Sequence, residues 1–266
     1  MVVVILLMMV GGIGLTQAVS DPHQVSLRWL RLGGLIAVAL LAVAAVAAVT
    51  IGTESSRAKL SWIALVAIPC VTQLMMVQIG WRRSQAISAL IGFILTAMAV
   101  SALMMPMHTT SGSAPNAFTR PPTPPSQVVT VTTCVLASGL LGGFLMTMLL
   151  GHAYLTAGNE MTQRPFLRLV VMLGVLLVVR LVATTGFALW PYLMALGMGR
   201  PWDIMMIISR LLVGLVVPGV FTYMIYDCVK RRANQSATGI LYVALVLVII
   251  GEGTAMTLVD QTGYAF

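Results

Sequence analysis

The stretch Leu167-Arg-Leu-Val-Val-Met-Leu-Gly-Val-Leu-Leu-Val-Val-Arg-Leu-Val-Ala-Thr-Thr-Gly-Phe-Ala-Leu-Trp-Pro191 decides the fold class. After Arg168 near its start, Arg180 is its one remaining charged residue. A helix of this length extends about 37 Å at 1.5 Å per residue, which is enough to cross roughly 30 Å of hydrocarbon. The stretch therefore predicts a transmembrane helix with an arginine inside it.

The composition of the whole chain agrees with a membrane environment. Hydrophobic residues make up 59% and charged residues 8% of the 266 residues, and the mean hydropathy is +1.00. A soluble domain carries about a quarter charged residues. The net charge of +8 comes mainly from basic residues in short loops, where they act as topology signals. We therefore expect a lipid bilayer, and no nucleic acid, as the partner of this surface.

Seven further apolar runs resemble the first in length. We predict an all-α, polytopic integral membrane protein with one domain, residues 1–266, and about eight transmembrane helices. A polar, proline-rich loop, residues 108–126, divides the helices into four plus four. The predicted spans are 2–19, 30–52, 60–80, 86–107, 127–153, 167–191, 203–228 and 236–259.

The basic residues predict the orientation of these spans. Nine lysines and arginines fall in the loops after spans one, three, five and seven, and four fall on the opposite side. The positive-inside rule places the first set in the cytoplasm and both termini outside it. Since nothing in the sequence indicates eukaryotic targeting, we expect a bacterial inner (cytoplasmic) membrane.

Three ionisable residues lie inside apolar runs: Arg180, Arg210 and Glu252. A charge at the bilayer centre costs at least about 2.5–3.5 kcal/mol on insertion scales, so such residues pair, line a wet cavity or hold a ligand. Counting 1.5 Å per residue places all three in the outer half of spans six, seven and eight. They form either an Arg–Glu pair that fixes helix packing, with backbone or threonine oxygens for the second arginine, or a ligand or ion site.

Two patterns predict helix contacts and helix shape. Gly139, Gly143, Thr147 and Gly151 form a small-residue stripe at intervals of four, which is typical of close helix packing in membranes. In span seven, Pro218 removes a backbone donor, so we expect a kink near this residue.

Polar residues near the cytoplasmic ends of spans five and seven are candidates for an interfacial or quinone site: His152, Tyr154, Tyr226 and Asp227. A bis-histidine haem is disfavoured, because His152 is the one histidine inside a predicted span. A haem with His and Met ligands stays an alternative, since the chain has 19 methionines.

The predicted outer end of span four reads Met104-Met-Pro-Met-His108. Thioethers and an imidazole are ligands that suit Cu(I), so Met104, Met105, Met107 and His108 are a candidate copper site. Methionines in so apolar a chain more often fill cores or face lipid.

These residues support three functional hypotheses. The first is an accessory or quinone-interacting membrane subunit of a larger electron-transfer complex, respiratory or photosynthetic, with other membrane subunits as partners and no catalytic activity of its own. The second is a small transporter or channel that uses Arg180, Arg210 and Glu252. The third is a haem- or copper-handling membrane protein. The sequence favours the first. It leaves the cofactor open, with a quinone favoured over haem or copper.

Overall fold

The computed structural model describes residues 1–21, 24–50, 56–110, 126–157, 162–196, 201–262, 264 and 266, and these residues form helices and no strand. The helices are α1 (Val2–Val19), α2 (Leu27–Thr50), α3 (Ser56–Ile79), α4 (Arg82–Thr110), α5 (Gln127–Ala157), α6 (Arg164–Thr184), α7 (Trp190–Leu196), α8 (Pro201–Leu211), α9 (Val217–Lys230) and α10 (Asn234–Thr262). Two π-helical segments, Thr185–Leu189 and Leu212–Val216, connect α6 to α7 and α8 to α9.

The described residues contain eight helical stretches that are long and apolar enough to span a membrane. This confirms the predicted all-helical, multi-pass class. The sixth stretch, Arg164–Met194, joins α6 to α7, and the seventh, Trp202–Lys230, joins α8 to α9. The predicted loop 108–126 begins too early, because α4 continues to Thr110, and residues 111–125 lie outside the described part.

Neighbouring spans run in alternating directions. Gly14, in the last third of α1, packs against Ala89 near the start of α4, and Gly151 near the end of α5 packs against Phe166 at the start of α6. We call the two ends of the bundle the Val2 end and the Val19 end, after the first and last residues of α1.

Helix α1 lies at the centre of the first five helices, in contact with α2, α4 and α5. Its closest approach is to α5: a Cβ atom on Gly12 would overlap the Ser138 carbonyl oxygen and lie 2.7 Å from the Gly142 Cα. Backbones can come this close only where side chains are absent, which is how small residues stabilise helix contacts in lipid. The tightest contact therefore involves Gly142, which the predicted glycine stripe did not include.

The predicted stripe also meets other helices. A Cβ on Gly139 would lie 3.1 Å from a Leu176 methyl group, and one on Gly143 would lie 2.8 Å from a Leu173 methyl group. Both leucines belong to α6, so the stripe packs mainly against the helix that carries Arg180.

Four of the five tryptophans divide into two groups, and the fifth, Trp62, is partly buried in α3. Trp81, Trp190 and Trp202 are exposed at helix ends, as expected of residues at a membrane interface. Trp29 is instead buried, and its indole nitrogen donates a hydrogen bond to the Met146 carbonyl oxygen (3.1 Å). Trp29 thus satisfies its polar group inside the bundle and not at a membrane interface.

The Gly12–Gly142 contact predicts a strong, local packing effect. Replacing Gly142 with alanine should lower the free energy of unfolding by about 1–3 kcal/mol, because the new methyl group meets the α1 backbone. The measurement is a titration of the purified protein with SDS in mixed micelles, in which circular dichroism monitors the loss of helix.

Gly239→Ala is the matched control, since a Cβ at this α10 position meets no atom within 4 Å. Alanine has the higher helix propensity, so the control should be neutral or more stable by up to about 1 kcal/mol. Equal loss of stability in both variants would contradict the packing assigned to Gly142.

Candidate functional site

Arg180, Arg210 and Glu252 meet in the interior of the bundle. The Arg180 Nη2 atom lies 3.1 Å from Oε2 of Glu252, and the Arg210 Nη2 atom lies 2.9 Å from Oε1. All three side chains are at most 2% exposed. One carboxylate therefore pairs with two guanidinium groups, and we call these three residues the charge cluster.

Two unusual backbone segments flank the charge cluster. Arg180 is followed by the π-helical segment Thr185–Leu189, and Arg210 is followed by Leu212–Val216. A π-helical turn widens the helix and is frequent at functional sites. In span seven it ends at Val216, two residues before Pro218, which cannot donate to the carbonyl four residues earlier. The kink expected near Pro218 stays a prediction.

Glycines let span seven approach α10 beside the charge cluster. A Cβ on Gly214 would lie 2.7 Å from the Gly251 Cα and 3.1 Å from Nη1 of Arg210. The Arg210 guanidinium thus lies across the point where the two backbones meet. A side chain on either glycine would displace it from Glu252.

The backbone satisfies part of the remaining hydrogen-bonding capacity. The Arg180 Nη2 atom also donates to the Phe266 main-chain oxygen (3.0 Å). The expected threonine partners are not used: Thr185 is exposed, and Oγ1 of the buried Thr184 has no hydrogen-bond partner among the described residues. Among the described residues, Nε and Nη1 of both arginines have no hydrogen-bond partner.

A small cavity of about 20 Å³ adjoins the charge cluster. This is room for about one water molecule. Arg180, Glu252 and Phe266 line it, together with residues of α1, α4, α5 and α10: Met8, Met104, Thr130, Thr133, Cys134, Ala255, Met256 and Val259.

An aromatic group covers the charge cluster toward the Val2 end. The Tyr192 hydroxyl donates to Oδ2 of Asp203 (2.9 Å), and the Tyr192 ring contacts the rings of Tyr264 and Phe266 edge to face. Burial raises the pKa of the Tyr264 phenol, so it stays neutral at physiological pH. The ring contact with Tyr192 thus holds Phe266 where its main-chain oxygen accepts a hydrogen bond from Arg180.

A second, larger cavity of about 470 Å³ lies at the Val19 end, between the start of α2 and the end of α5. Its volume is within the range typical of small-molecule sites. The polar lining consists of Arg28, His152, Ser26 and Thr156, and the apolar lining is Trp29, Leu32, Leu149 and Ala153. We call this space the His152 cavity.

The other residues of the predicted interfacial site do not line the His152 cavity. Tyr154 is buried, donates to the Thr162 carbonyl oxygen (2.5 Å) and stacks on Phe166, so it connects α5 to the start of α6. Asp227 pairs with Arg231 on the surface (2.8 Å), and Tyr226 is exposed. A shared role for these three residues with His152 stays a prediction.

The predicted copper site is only partly described. Met104 is buried and lines the small cavity beside the charge cluster. The side chains of Met105, Met107 and His108 lie outside the described part of the chain. Where side chains are described, no three His, Cys, Asp or Glu residues group as metal ligands do.

No protein-family model, curated protein or solved structure matches this chain. The chemistry of the lining residues is therefore the guide to what the charge cluster and the His152 cavity bind. The charge cluster offers buried guanidinium donors and a water-sized space, whereas the His152 cavity offers donors, apolar walls and room for a ring.

Two of these features had no signal in the sequence. Trp29 and Arg28 belong to the His152 cavity, yet their pattern in the sequence is that of an ordinary span end. Phe266 contacts both Arg180 and the Tyr192 ring, although it lies far from each of them in the sequence. The spacing of the buried charges could indicate their shared depth but not this partner.

Replacing different residues of the charge cluster should lower the free energy of unfolding by different amounts. Glu252→Gln should lower the free energy of unfolding by about 3–5 kcal/mol, because it leaves two buried arginines without a counter-charge. Arg180→Gln or Arg210→Gln should lower the free energy of unfolding by less than Glu252→Gln does, since one Arg–Glu pair remains in each. The measurement is the unfolding free energy in mixed micelles.

Asp227→Asn provides the control, because it breaks the exposed i,i+4 pair with Arg231. Such surface pairs contribute about 0.3–0.5 kcal/mol. If Glu252→Gln were no more destabilising than Asp227→Asn, the buried pairing would be refuted.

Proposed function

We propose that this multi-pass membrane protein binds a quinone headgroup in the His152 cavity, as an accessory subunit of a larger electron-transfer complex. The observation that carries this proposal is the lining of the cavity, with hydrogen-bond donors beside apolar walls. His152 and Arg28 supply polar N–H groups, and Trp29, Leu32 and Leu149 supply apolar surface. A quinone has the matching chemistry, since its ring is apolar and its two carbonyl oxygens accept hydrogen bonds.

The position of the cavity also suits a lipid-soluble ligand. His152, Arg28 and Leu32 are exposed on the outside of the bundle, near the ends of the helices that carry them. Amphipathic ligands gather at this depth, where a polar head meets water and an isoprenoid tail stays in hydrocarbon. A ligand can therefore enter from the membrane without passing through the bundle.

The proposed place in a larger assembly rests on the architecture. The spans account for most of the chain, and the described segments between them are short. The protein thus presents little surface outside the membrane on which a redox domain could be built. We assign electron delivery to partner subunits and quinone binding to this chain.

We also propose that the Val19 end faces the cytoplasm of a bacterial cell and that both termini lie on the outer side. The support is the charge bias, nine basic residues against four. This orientation places the His152 cavity at the cytoplasmic face and the charge cluster in the outer half of the membrane.

The proposed ligand predicts quenching of tryptophan fluorescence by a quinone. Titration with a short-chain ubiquinone or menaquinone analogue should quench Trp29, which lines the cavity. Arg28→Gln and His152→Ala should each weaken the apparent affinity for the quinone about tenfold. Each variant removes a hydrogen-bond donor, and the loss of about 1.5 kcal/mol of binding free energy corresponds to this factor.

Tyr242→Phe is the control, because Tyr242 is exposed on α10 and is not part of the cavity lining. Its affinity should equal that of the wild type. Trp29→Phe should remove most of the saturable quenching. Saturable quenching that is unchanged in Arg28→Gln and His152→Ala would exclude the His152 cavity as the site.

The proposed orientation predicts the labelling of single cysteines. In a background without the three native cysteines, a cysteine at position 232 should be protected in intact cells from a membrane-impermeant maleimide. A cysteine at position 120 should react with it. The reverse pattern would place the Val19 end outside and would contradict the orientation.

A further inference from the structure

We infer that the cavity beside Arg180 binds one buried water molecule, which joins the charge cluster to α5 by hydrogen bonds. Within the described residues, Nε and Nη1 of Arg180 have no hydrogen-bond partner, although the side chain is only 2% exposed. A buried donor without a partner loses its hydration and gains nothing in return, most of all when the group is charged. Arg180 lines the cavity, so a water molecule in it is the partner within reach.

The size and the polarity of the cavity both suit water. Its volume of about 20 Å³ exceeds the space that one water molecule needs, about 10–15 Å³. Cavities that stay dry have apolar walls, whereas four polar side chains contribute to this wall. They are Thr130, Thr133, Arg180 and Glu252. The cavity therefore has the properties of a site for one ordered water.

The wall supplies acceptors as well as donors. The Thr133 hydroxyl donates to the Val129 and Thr130 carbonyl oxygens of its own helix, at 3.0 and 2.9 Å, so its oxygen can accept from water. Each Glu252 oxygen pairs with one arginine and can accept a second hydrogen bond. A buried water makes about three hydrogen bonds. Arg180 can donate one to this water, and Glu252 and Thr133 can each accept one from it.

The position of the cavity gives this water a structural role. Residues of α1, α4 and α5 contribute to the wall, as do residues of α6 and α10. The cavity thus lies where the first five helices meet the helices that carry the charge cluster. A water that accepts from Arg180 and donates to Thr133 connects these two parts of the bundle through a polar contact.

This inference is independent of the charge of the cluster and of the proposed quinone site. Water is neutral, so its binding does not require a particular net charge beside Arg180. Arg210 does not line the cavity, and its guanidinium lies against Gly214 and Gly251 instead. The described linings of this cavity and of the His152 cavity share no residue. The water site would therefore remain if the His152 cavity bound no quinone.

Radiolytic footprinting tests the inference, because sulfur atoms in the wall of the cavity report on water. An X-ray pulse converts water, including bound water, to hydroxyl radicals, which oxidise a neighbouring thioether to the sulfoxide. Laser photolysis of hydrogen peroxide makes the same radicals in bulk solution alone. In the full-length protein in micelles, X-rays should oxidise the buried Met8, Met104 and Met256, which line the cavity. Photolysis should leave these three residues intact.

Met146 is the internal control, because it is fully buried on α5 and does not line the cavity, so neither radical source should oxidise it. Ala255→Val adds two methyl groups to the wall and should abolish the X-ray oxidation of Met8 and Met104 by displacing the water. Gly239→Ala, whose new methyl group meets no atom within 4 Å, should be oxidised like the wild type. Should Ala255→Val fail to fold, the two radical sources applied to the wild type still decide the question.

Three results would overturn the inference. X-ray oxidation of Met8, Met104 and Met256 that is no faster than that of Met146 would mean that the cavity is dry. Oxidation of the three residues by both radical sources would mean that bulk solvent enters the cavity, which would contradict one enclosed water. Unchanged X-ray oxidation in folded Ala255→Val would place the water elsewhere.

Discussion

The carboxylate of Glu252, shared between two arginines, fixes how the last three spans pack against one another. Charges in hydrocarbon are stable only when paired, and here each guanidinium takes a different oxygen of the same carboxylate. A shift of any of the three spans by one helical turn, about 5.4 Å, would break at least one pair. The charge cluster therefore sets the register of spans six, seven and eight, which apolar side chains alone define poorly, because lipid is as apolar as they are.

Other features of this half of the bundle follow from the shared carboxylate. Gly214 and Gly251 let two backbones come close enough for Arg210 to reach Glu252. The π-helical segments occur directly after the turns that carry the arginines. Nε and Nη1 of Arg180 have no hydrogen-bond partner among the described residues, and Arg180 lines a water-sized cavity here. At the Val19 end, by contrast, the polar residues are exposed and line a larger space.

The sequence predicted the spans well because the bilayer imposes a length and a hydropathy that can be read locally. The fifth span, predicted at 127–153, is observed at Gln127–Ala157. The common depth of Arg180 and Glu252 was also predictable, since it needs only a rise per residue. The Gly12–Gly142 contact, the burial of Trp29 and the position of Phe266 were not, because each depends on which helices become neighbours. That choice is made by tertiary packing.

The central claim is that the three charges stabilise the fold as one unit, and a triple variant tests it most directly. Replacing Arg180, Arg210 and Glu252 together with methionine removes the pairing and its desolvation cost at once. If the charges act as a unit, the unfolding free energy of the triple variant should lie within about 1–2 kcal/mol of the wild type or exceed it, well above that of Glu252→Gln. A triple variant as unstable as Glu252→Gln, or less stable, would contradict the account.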